Sequence, residues 1–352
     1  MTAVPQLLAA PRFAVRDDVP ADICDHYVAG HPHASAYHRP LWLDVIRRSF
    51  GHETRYLAAE SLHGMVGVLP LVLFQSRLFG RFAVSVPFFN YGGVLADSQD
   101  IERALLERAV AEATSIGATH LELRHSRQTF PELTAKRHKV AMHLALPPSP
   151  DALWNGIDRK LRNQVRKAEK SELDAACGGA ELLNEFYSVF CRNMRDLGTP
   201  VYGRNFFKEV LSALGGSAQV FVVRHRGQPA AASITHVHGS TIEVPWASAM
   251  REFNPFCANV LLYWTMLQFA TAQRLRTFDF GRSSRDAGTF HFKRQWGAIP
   301  HDLVWEYWSA GERPSTDVSP ANPKFNLAIR VWQKLPLAVA NTVGPRIVRN
   351  IP

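Results

Sequence analysis

Residues 278–297 read FDFGRSSRDAGTFHFKRQWG and are the most informative stretch of the chain. The stretch begins as a short apolar strand and continues into a turn with polar groups at its mouth. Gly281 and Gly288 allow backbone conformations closed to other residues, or a close approach of a ligand to the backbone. Four cations stand in the same stretch: Arg282, Arg285, Lys293 and Arg294. Together with the aromatic residues they favour an anionic, partly flat ligand, and the alternative is a strand followed by a solvated basic loop.

The composition is that of a globular protein with an excess of positive charge. The chain has 352 residues, more than one ordinary core accommodates, so we expect two domains. It is 46% hydrophobic and 20% charged, and its formal net charge is +9. A surplus of cations favours anionic partners such as nucleotides, RNA or acidic lipid headgroups, without choosing among them.

The cysteines and the apolar runs indicate a cytoplasmic protein. The four cysteines are scattered, with no Cys-x-x-Cys pair, which argues against a zinc knuckle or a disulfide scaffold. The N-terminus lacks the basic-then-apolar layout of a secretory signal, and no apolar run reaches the ~18 residues that a membrane span requires.

The two halves of the chain share one pattern at an offset of about 160 residues. In each half, Tyr-x-Arg enters an amphipathic helix, a β-hairpin follows, and a later helix leads into a short strand. The paired segments are 37–46 with 202–211, 55–74 with 219–237, 101–116 with 258–273, and 120–124 with 277–281. This order predicts a mixed α/β fold with domains at 1–150 and 151–315, although two unrelated α/β units could look alike by chance.

Two further segments are basic and amphipathic. The pattern of residues 151–170 predicts a linker helix whose apolar stripe faces the protein. Its cations, Arg162 and Arg166 among them, form either a solvated face or the lining of a groove for phosphates or RNA. In the tail, 316–352, an apolar helical face stands among basic residues until Pro336 interrupts it. Phe325, Ala328, Trp332 and Leu335 form that face, which predicts either contact with an anionic membrane or a terminal helix docked on the protein.

Several chemistries find no support in the sequence. There is no Gly-x-Ser-x-Gly elbow, no P-loop and no dinucleotide-binding Gly-x-Gly-x-x-Gly. His236 and His238 would lie on one face of a strand, but no carboxylate or cysteine stands close in sequence to complete a metal site. The grouping of Ser283, Asp286 and His291 is poor support for a catalytic triad, which geometry defines.

Four segments resemble the FemAB-like family, and together they span about 280 residues of the chain. The most specific is the run Gly-Arg-Ser, Gly-Thr, Phe-Lys and Trp-Gly within 281–297. The others are RNQVRKAEK at 162–170, PFFNYGG at 87–93 and NVLLYW at 259–264. The sequence is most similar to the branch that occurs with exosortase/PEP-CTERM exopolysaccharide systems of Gram-negative bacteria.

The resemblance implies tandem GNAT-like acyl-CoA N-acyltransferase domains in mixed α/β sheets. It implies transfer of an acyl or aminoacyl group to an amine of a cell-envelope or exopolysaccharide precursor, with acyl-CoA or aminoacyl-tRNA as donor and no tightly bound cofactor. The alternatives are a FemAB-like scaffold that has lost catalysis and an RNA-binding protein. Expected partners are an anionic small molecule or lipid-linked precursor, tRNA, and the inner membrane as a peripheral contact of the tail.

The same reaction class assigns roles to individual residues. Lys293 matches the lysine of the family's Phe-Lys element and is expected to contact a phosphate or the developing oxyanion. Glu243 and Asp279 are the candidate proton acceptors. The expected substrate-binding residues are Tyr202, Tyr263, Arg282, Ser283, Arg285, Gly288, Thr289, Trp296, Arg162 and Arg166. The nearest match to the pyrophosphate-binding pattern of GNAT proteins, Arg285–Phe290, breaks at its last position, and the linker lacks the long helical arm that some FemAB enzymes use on tRNA.

Overall fold

The computed structural model describes residues 13–76, 79–311 and 326–352. Over these ranges the chain forms two β-sheets with helices packed against them. This is the mixed α/β arrangement that the alternation of helices and hairpins predicts. No helix within the described ranges is long and apolar enough to cross a bilayer.

The first sheet is built mostly from the N-terminal half of the chain. Its strands run in the spatial order β1-β2-β3-β4-β6-β15-β7, with β5 beside β3. Their bounds are β1 Phe13–Arg16, β2 Glu53–Ser61, β3 Gly64–Ser76, β4 Gly80–Val84, β5 Leu95–Ala96, β6 His120–His125, β7 Thr134–Lys136 and β15 Val304–Ser309. The predicted hairpin of the first half is the antiparallel pair β2 and β3.

The second sheet has the spatial order β14-β8-β13-β12-β11-β10-β9. Its strands are β8 Lys139–Ala145, β9 Leu173–Gly178, β10 Ala218–His225, β11 Gln228–His238, β12 Thr241–Ala249, β13 Thr277–Ser284 and β14 Ile299–Asp302. Strands β10 and β11 form the second predicted hairpin. Strands β12 and β13 are parallel neighbours, as β4 and β6 are in the first sheet.

The two sheets exchange strands across the boundary placed at residue 150. Strand β8 precedes that boundary but pairs with β13 in the second sheet, while β15 follows it and pairs with β6 in the first sheet. The chain therefore passes between the sheets twice, once between β7 and β8 and once at Leu303, whose N–H donates to the carbonyl of Lys139. Hydrogen bonding between distant strands decides sheet membership here.

The helices cover the sheets and join the halves. Their bounds are α1 Ala21–Gly30, α2 Leu41–Phe50, α3 Gln99–Ser115, α4 Pro150–Gly156, α5 Arg159–Glu169, α6 Leu183–Leu197, α7 Arg204–Leu214, α8 Ala258–Ala272, α9 Gly288–Gln295, α10 Asn326–Gln333 and α11 Leu337–Val348. Both long repeated helices, α3 and α8, lie where the periodicity predicts them. The largest core includes residues of both halves, among them residues of α2, α6, α7 and α8, and a second core lies in the first half.

The linker is two helices, α4 and α5, where the apolar stripe predicts one. The Asp158 side chain accepts a hydrogen bond from the N–H of Leu161 at 2.7 Å and so caps a new helix. Ser149 caps α4 in the same way through the N–H of Ala152. The apolar periodicity continues across the break because Leu153, Ile157, Leu161 and Val165 all join the same core.

The tail docks on the protein through α10 and α11, both of which contact α6. A Cβ atom on Gly344 would lie only 2.9 Å from the backbone nitrogen of Val201, so α11 and the segment before α7 approach closely. The Arg195 guanidinium donates to the carbonyl of Leu335 at 3.2 Å. Phe325, which was predicted to share the apolar face, lies outside the described residues.

Candidate active site

The parallel pair β12 and β13 places two carboxylates side by side. Glu243 is the register partner of Asp279, and the parallel pairing of the two strands ends at these residues. Both are buried, with 6% and 3% of their surface exposed. Two residues further on, Gly281 has φ +73°, and a Cβ there would lie 3.0 Å from the carbonyl oxygen of Val244. Glycine is therefore required where β13 bulges past the carboxylates.

Asp279 is held by groups from both halves of the chain. Its Oδ1 accepts from the N–H of Gly281 at 2.7 Å, and its Oδ2 accepts from the hydroxyl of Tyr91 at 2.9 Å. The Nε2 of His143 lies 3.3 Å from the same Oδ2 and 3.1 Å from the Tyr91 oxygen. Because the Tyr91 proton is directed at Asp279, this geometry suits an Nε2–H on His143, which leaves its Nδ1 as a hydrogen-bond acceptor. The His143 side chain is 30% exposed, so the arrangement links solvent to a buried carboxylate.

Apart from Asp279, the groups around Glu243 include an imidazole and a phenol. The Nε2 of His236 lies 3.6 Å from Glu243 Oε2 and 3.1 Å from the hydroxyl of Tyr37. Burial and then the charge of Asp279 raise the pKa of Glu243 well above its usual range, while hydrogen bonds with Tyr37 and Asn90 act in the opposite direction. Burial lowers the pKa of His236 to about 3, so this imidazole is neutral near pH 7 and forms no salt bridge with Glu243. A raised pKa favours a protonated Glu243 beside Asp279.

We call Glu243, Asp279, Tyr91, His143, Tyr37 and His236 the carboxylate cluster. It combines the two predicted proton acceptors with four residues that the sequence interpretation did not select. Tyr91 could have been selected from the sequence, since it belongs to the PFFNYGG segment that carries part of the family resemblance. His143 belongs to a strand of the N-terminal half that joins the second sheet, and no local pattern signals that pairing.

Lys293 approaches the cluster from α9. It is buried, and its Nζ donates to the carbonyl oxygens of Gly281 at 3.1 Å and Arg282 at 2.9 Å. Burial is the main reason that the pKa of Lys293 is lowered to about 8. The charge of Asp279 acts in the opposite direction and raises this pKa, whereas the charge of Arg282 lowers it further. Two of the three ammonium protons are thus directed at backbone carbonyls, and one remains for a ligand.

Arg282 lies between the two sheets. Its guanidinium carbon is 5.7 Å from the ring centroid of Trp305 in β15, and the side chain stays solvent-accessible. Burial raises the pKa of Tyr202, and the charge of Arg282 opposes that rise. The charge of Arg282 thus acts on the pKa of both Tyr202 and Lys293. Tyr202 itself packs among phenylalanine rings, including Phe206 with a centroid separation of 5.2 Å.

Three of the other predicted binding residues are buried. Tyr263 stacks on Phe280 at 5.5 Å and lies in the main core. Trp296 and Ser283 are also buried, and neither the Trp296 Nε1 nor the Ser283 hydroxyl has a hydrogen-bond partner. These positions place apolar surface and one unpartnered hydroxyl behind the cluster.

The segment after β13 is helical, where a polar turn was expected. Gly288 and Thr289 are exposed in the first turn of α9, so their backbone N–H groups stand at a helix N-terminus. Such an end attracts phosphate groups. Arg285 forms an ion pair with Asp302 on the surface.

Arg162 and Arg166 have partners within the linker. The Nη1 of Arg162 donates to three carbonyls at the end of α4, the closest being Ile157 at 3.0 Å. The guanidinium of Arg166 lies over the ring of Trp154, 5.3 Å from its centroid. These contacts tie α5 to α4.

Two surface cavities lie away from the carboxylate cluster. One, of about 580 Å³, lies along α5 and is lined by Arg159, Lys160, Asn163, Gln164 and Lys167. The other, of about 610 Å³, lies between α11 and strands β2 and β3. Within the described ranges, no group of three or more His, Cys, Asp or Glu side chains is arranged to hold a metal ion.

A known domain family matches a part of the chain that carries three of the six cluster residues, Glu243, Asp279 and His236. Residues 157–294 match the Acetyltransferase (GNAT) domain, a span that includes Glu243, Asp279, Arg282 and Lys293. No curated protein sequence matches the chain.

Solved structures share the fold over most of the chain. FemX superposes with a TM-score of 0.66 at 16% identity, covering 83% of this chain and 96% of that one. A tandem GNAT protein from the clavulanic acid biosynthesis pathway gives 0.54 at 14% identity, covering 84% and 94%. The C-terminal domain of a protein described as a lysylphosphatidylglycerol synthetase, from Agrobacterium fabrum, gives 0.54 at 12%, covering 82% and 91%. These likenesses confirm the predicted tandem GNAT-like α/β fold.

Proposed function

We propose that this protein is an N-acyltransferase that moves an activated acyl or aminoacyl group to an amine of a cell-envelope or exopolysaccharide precursor. The observation that carries the proposal is the carboxylate cluster, which joins a partly exposed histidine to buried carboxylates inside a GNAT domain. The exopolysaccharide acceptor rests on the sequence resemblance to the PEP-CTERM-associated branch. The cytoplasmic site of action rests on the scattered cysteines, which favour a reducing compartment.

In the proposed reaction, the acceptor amine loses a proton and its nitrogen attacks the carbonyl carbon of the donor. His143 takes that proton on Nδ1, while Asp279 and Tyr91 fix the ring through the Nε2 side. The bond from the carbonyl carbon to the leaving group, the sulfur of a thioester or the ribose oxygen of an aminoacyl-tRNA, then breaks. The leaving group departs with the bonding electrons and takes up a proton, which balances the exchange.

Cations near the cluster have matching roles. The remaining N–H of Lys293 would donate to the developing oxyanion or to a donor phosphate, and the N-terminus of α9 at Gly288 and Thr289 would hold a second phosphate. Arg282, solvent-accessible between the sheets, would bind an anionic part of the acceptor. We place acyl-CoA first among donors because the GNAT match covers these residues.

The test is amine-dependent release of free thiol from acyl-CoA, with the acylated amine identified by mass spectrometry, and charged tRNA as a parallel donor. His143→Gln should lower kcat/KM by about 100-fold or more, the usual contribution of a general base. The matched control is His301→Gln, since the two imidazoles are neighbours with centroids 4.6 Å apart.

A second pair of variants separates hydroxyl chemistry from packing. Tyr91→Phe removes the hydrogen bond to Asp279, while Tyr263→Phe changes a core tyrosine with the same loss of one oxygen. Only Tyr91→Phe should reduce turnover.

Equal rates for His143→Gln and wild type would contradict the assignment of His143 as the general base. Ligand binding without transfer from either donor class would favour the scaffold alternative.

A further inference from the structure

Exposed apolar side chains concentrate on the outer face of the C-terminal helices. Eight large hydrophobic residues are exposed within the described ranges, and four of them belong to α10 and α11. These are Leu327, Val331, Val339 and Val343, with exposed fractions of 73%, 55%, 42% and 38%. A fifth exposed hydrophobic residue, Leu197, is the last residue of α6, and both α10 and α11 dock on that helix. Such a grouping differs from the singly scattered apolar residues of ordinary surfaces.

This outer face is not the face that holds the helices in place. Ala340, Gly344 and Val348, spaced at four residues, are the buried positions of α11. On α10 it is Ile329 that packs against Gly198. The exposed valines and leucine are thus different residues from those that hold the helices in place.

The charged residues that belong to the two helices and their ends are all of one sign. Four exposed cations share the two helices and their ends: Arg330, Lys334, Arg346 and Arg349. No Asp or Glu stands between residues 326 and 352. Apolar side chains among cations suit the headgroup region of an anionic bilayer, where the apolar groups enter the acyl boundary and the cations meet lipid phosphates. A second copy on the same face would instead bring four cations against four cations.

We infer that the outer face of α10 and α11, namely Leu327, Val331, Val339 and Val343 with these four cations, binds an anionic lipid bilayer surface. The helices would lie on the membrane without crossing it, since neither is long enough to span. The inference is independent of the acyl-transfer chemistry, because none of its residues belongs to the carboxylate cluster.

The experiment is sedimentation of the full chain with vesicles of phosphatidylcholine alone or phosphatidylcholine with phosphatidylglycerol. We expect binding to the anionic vesicles, weakened by salt. The double variant Arg330→Gln with Lys334→Gln should weaken it about 25-fold, at about fivefold per cation. The double variant Leu327→Asn with Val331→Asn should weaken it about tenfold through lost apolar burial.

Matched controls change the same residue types elsewhere on the surface. Leu62→Asn alters a side chain that is 97% exposed in the β2–β3 turn, and Arg251→Gln with Arg276→Gln removes two other exposed cations. These should leave vesicle binding within twofold. Equal binding to both vesicle types, or equal losses in the control variants, would overturn the inference. So would a dimer in light scattering that Leu327→Asn with Val331→Asn abolishes while vesicle binding stays at wild-type strength.

Discussion

Replacing Asp279 by Asn removes a charge from the carboxylate cluster with almost no change in volume. The carboxylate accepts from the Gly281 N–H at 2.7 Å and the Tyr91 hydroxyl at 2.9 Å, and an amide can supply only one acceptor oxygen. Losing one such hydrogen bond costs about 1–3 kcal/mol. The change also removes the buried charge of Asp279, which is one of the two causes that raise the pKa of Glu243, and this is favourable. We therefore expect the free energy of unfolding to change by less than about 2 kcal/mol.

The effect on catalysis should be much larger. Without the carboxylate, His143 loses the group that orients its ring, and kcat/KM should fall by about 10²–10⁴-fold. Urea unfolding and the thiol-release assay measure the two quantities on the same preparation. Glu306→Gln is the control: Glu306 is fully buried and accepts from the N–H groups of Thr129 and Phe130, so its loss should destabilise by about 2–4 kcal/mol. It should spare the activity of the folded fraction. A rate within threefold of wild type for Asp279→Asn, or destabilisation like that of Glu306→Gln, would refute the reasoning.

Three further predictions concern protonation and tail docking. The raised pKa of Glu243 means that the folded state keeps a proton which the unfolded state releases, so stability is lost as pH rises above the ordinary carboxyl range. Glu243→Gln should therefore gain in unfolding free energy relative to wild type between about pH 5 and 8 in urea titrations. Lys293, with its pKa lowered to about 8, loses its charge as pH rises through that value, so the turnover of the wild type should fall around that pH. Lys293→Met should be slow at every pH, and its pH–rate profile should lack this fall. Gly344→Val should destabilise the docking of α11 by about 1–3 kcal/mol, because the new side chain would clash with Val201. Amide hydrogen exchange in α11 should therefore become faster. The control Val343→Ala changes an exposed side chain and should leave the exchange rate unchanged.

Local periodicity was sufficient to predict most individual elements. The helices α3 and α8 and the two hairpins lie where apolar spacing and turn residues place them, because these signals act over a few residues. Glu243 and Asp279 were both selected as candidate proton acceptors, although only Asp279 lies within a predicted strand. The two carboxylates are adjacent because β12 and β13 pair in parallel register. Helix α8 lies between these two strands in the chain, so their pairing is not a local feature of the sequence.

The parts that sequence reasoning missed depend on contacts between distant segments. Strand β8 joins the second sheet, and only that pairing brings His143 to Asp279. The break at Asp158 was obscured because the apolar positions on both sides of it pack into one core. Arg162 was assigned to substrate by its charge, whereas its partners are carbonyls at the end of α4 that become acceptors only when the linker breaks there.

The internal repeat places a buried carboxylate at the same position of each half, but with different partners. Glu122 in β6 occupies the position that Asp279 has in β13, and its parallel register partner is Val84, where Asp279 has Glu243. In the first half the charge is neutralised: Arg124 donates to Glu122 at 2.7 Å. Although burial alone would raise the pKa of Glu122, the hydrogen bonds and charge of its partners prevail and lower it.

The second half has the opposite arrangement. Position 281 is glycine where the first half has Arg124, so this position supplies no guanidinium to Asp279, and the neighbour across the register is another acid. A buried pair of like charges is costly unless one member keeps its proton, and stability alone favours the first solution. The same fold thus carries one carboxylate in a form that stabilises it and another in a form suited to proton transfer. This costly pair is connected to solvent through His143, which is why we propose it as the place of acyl-transfer chemistry.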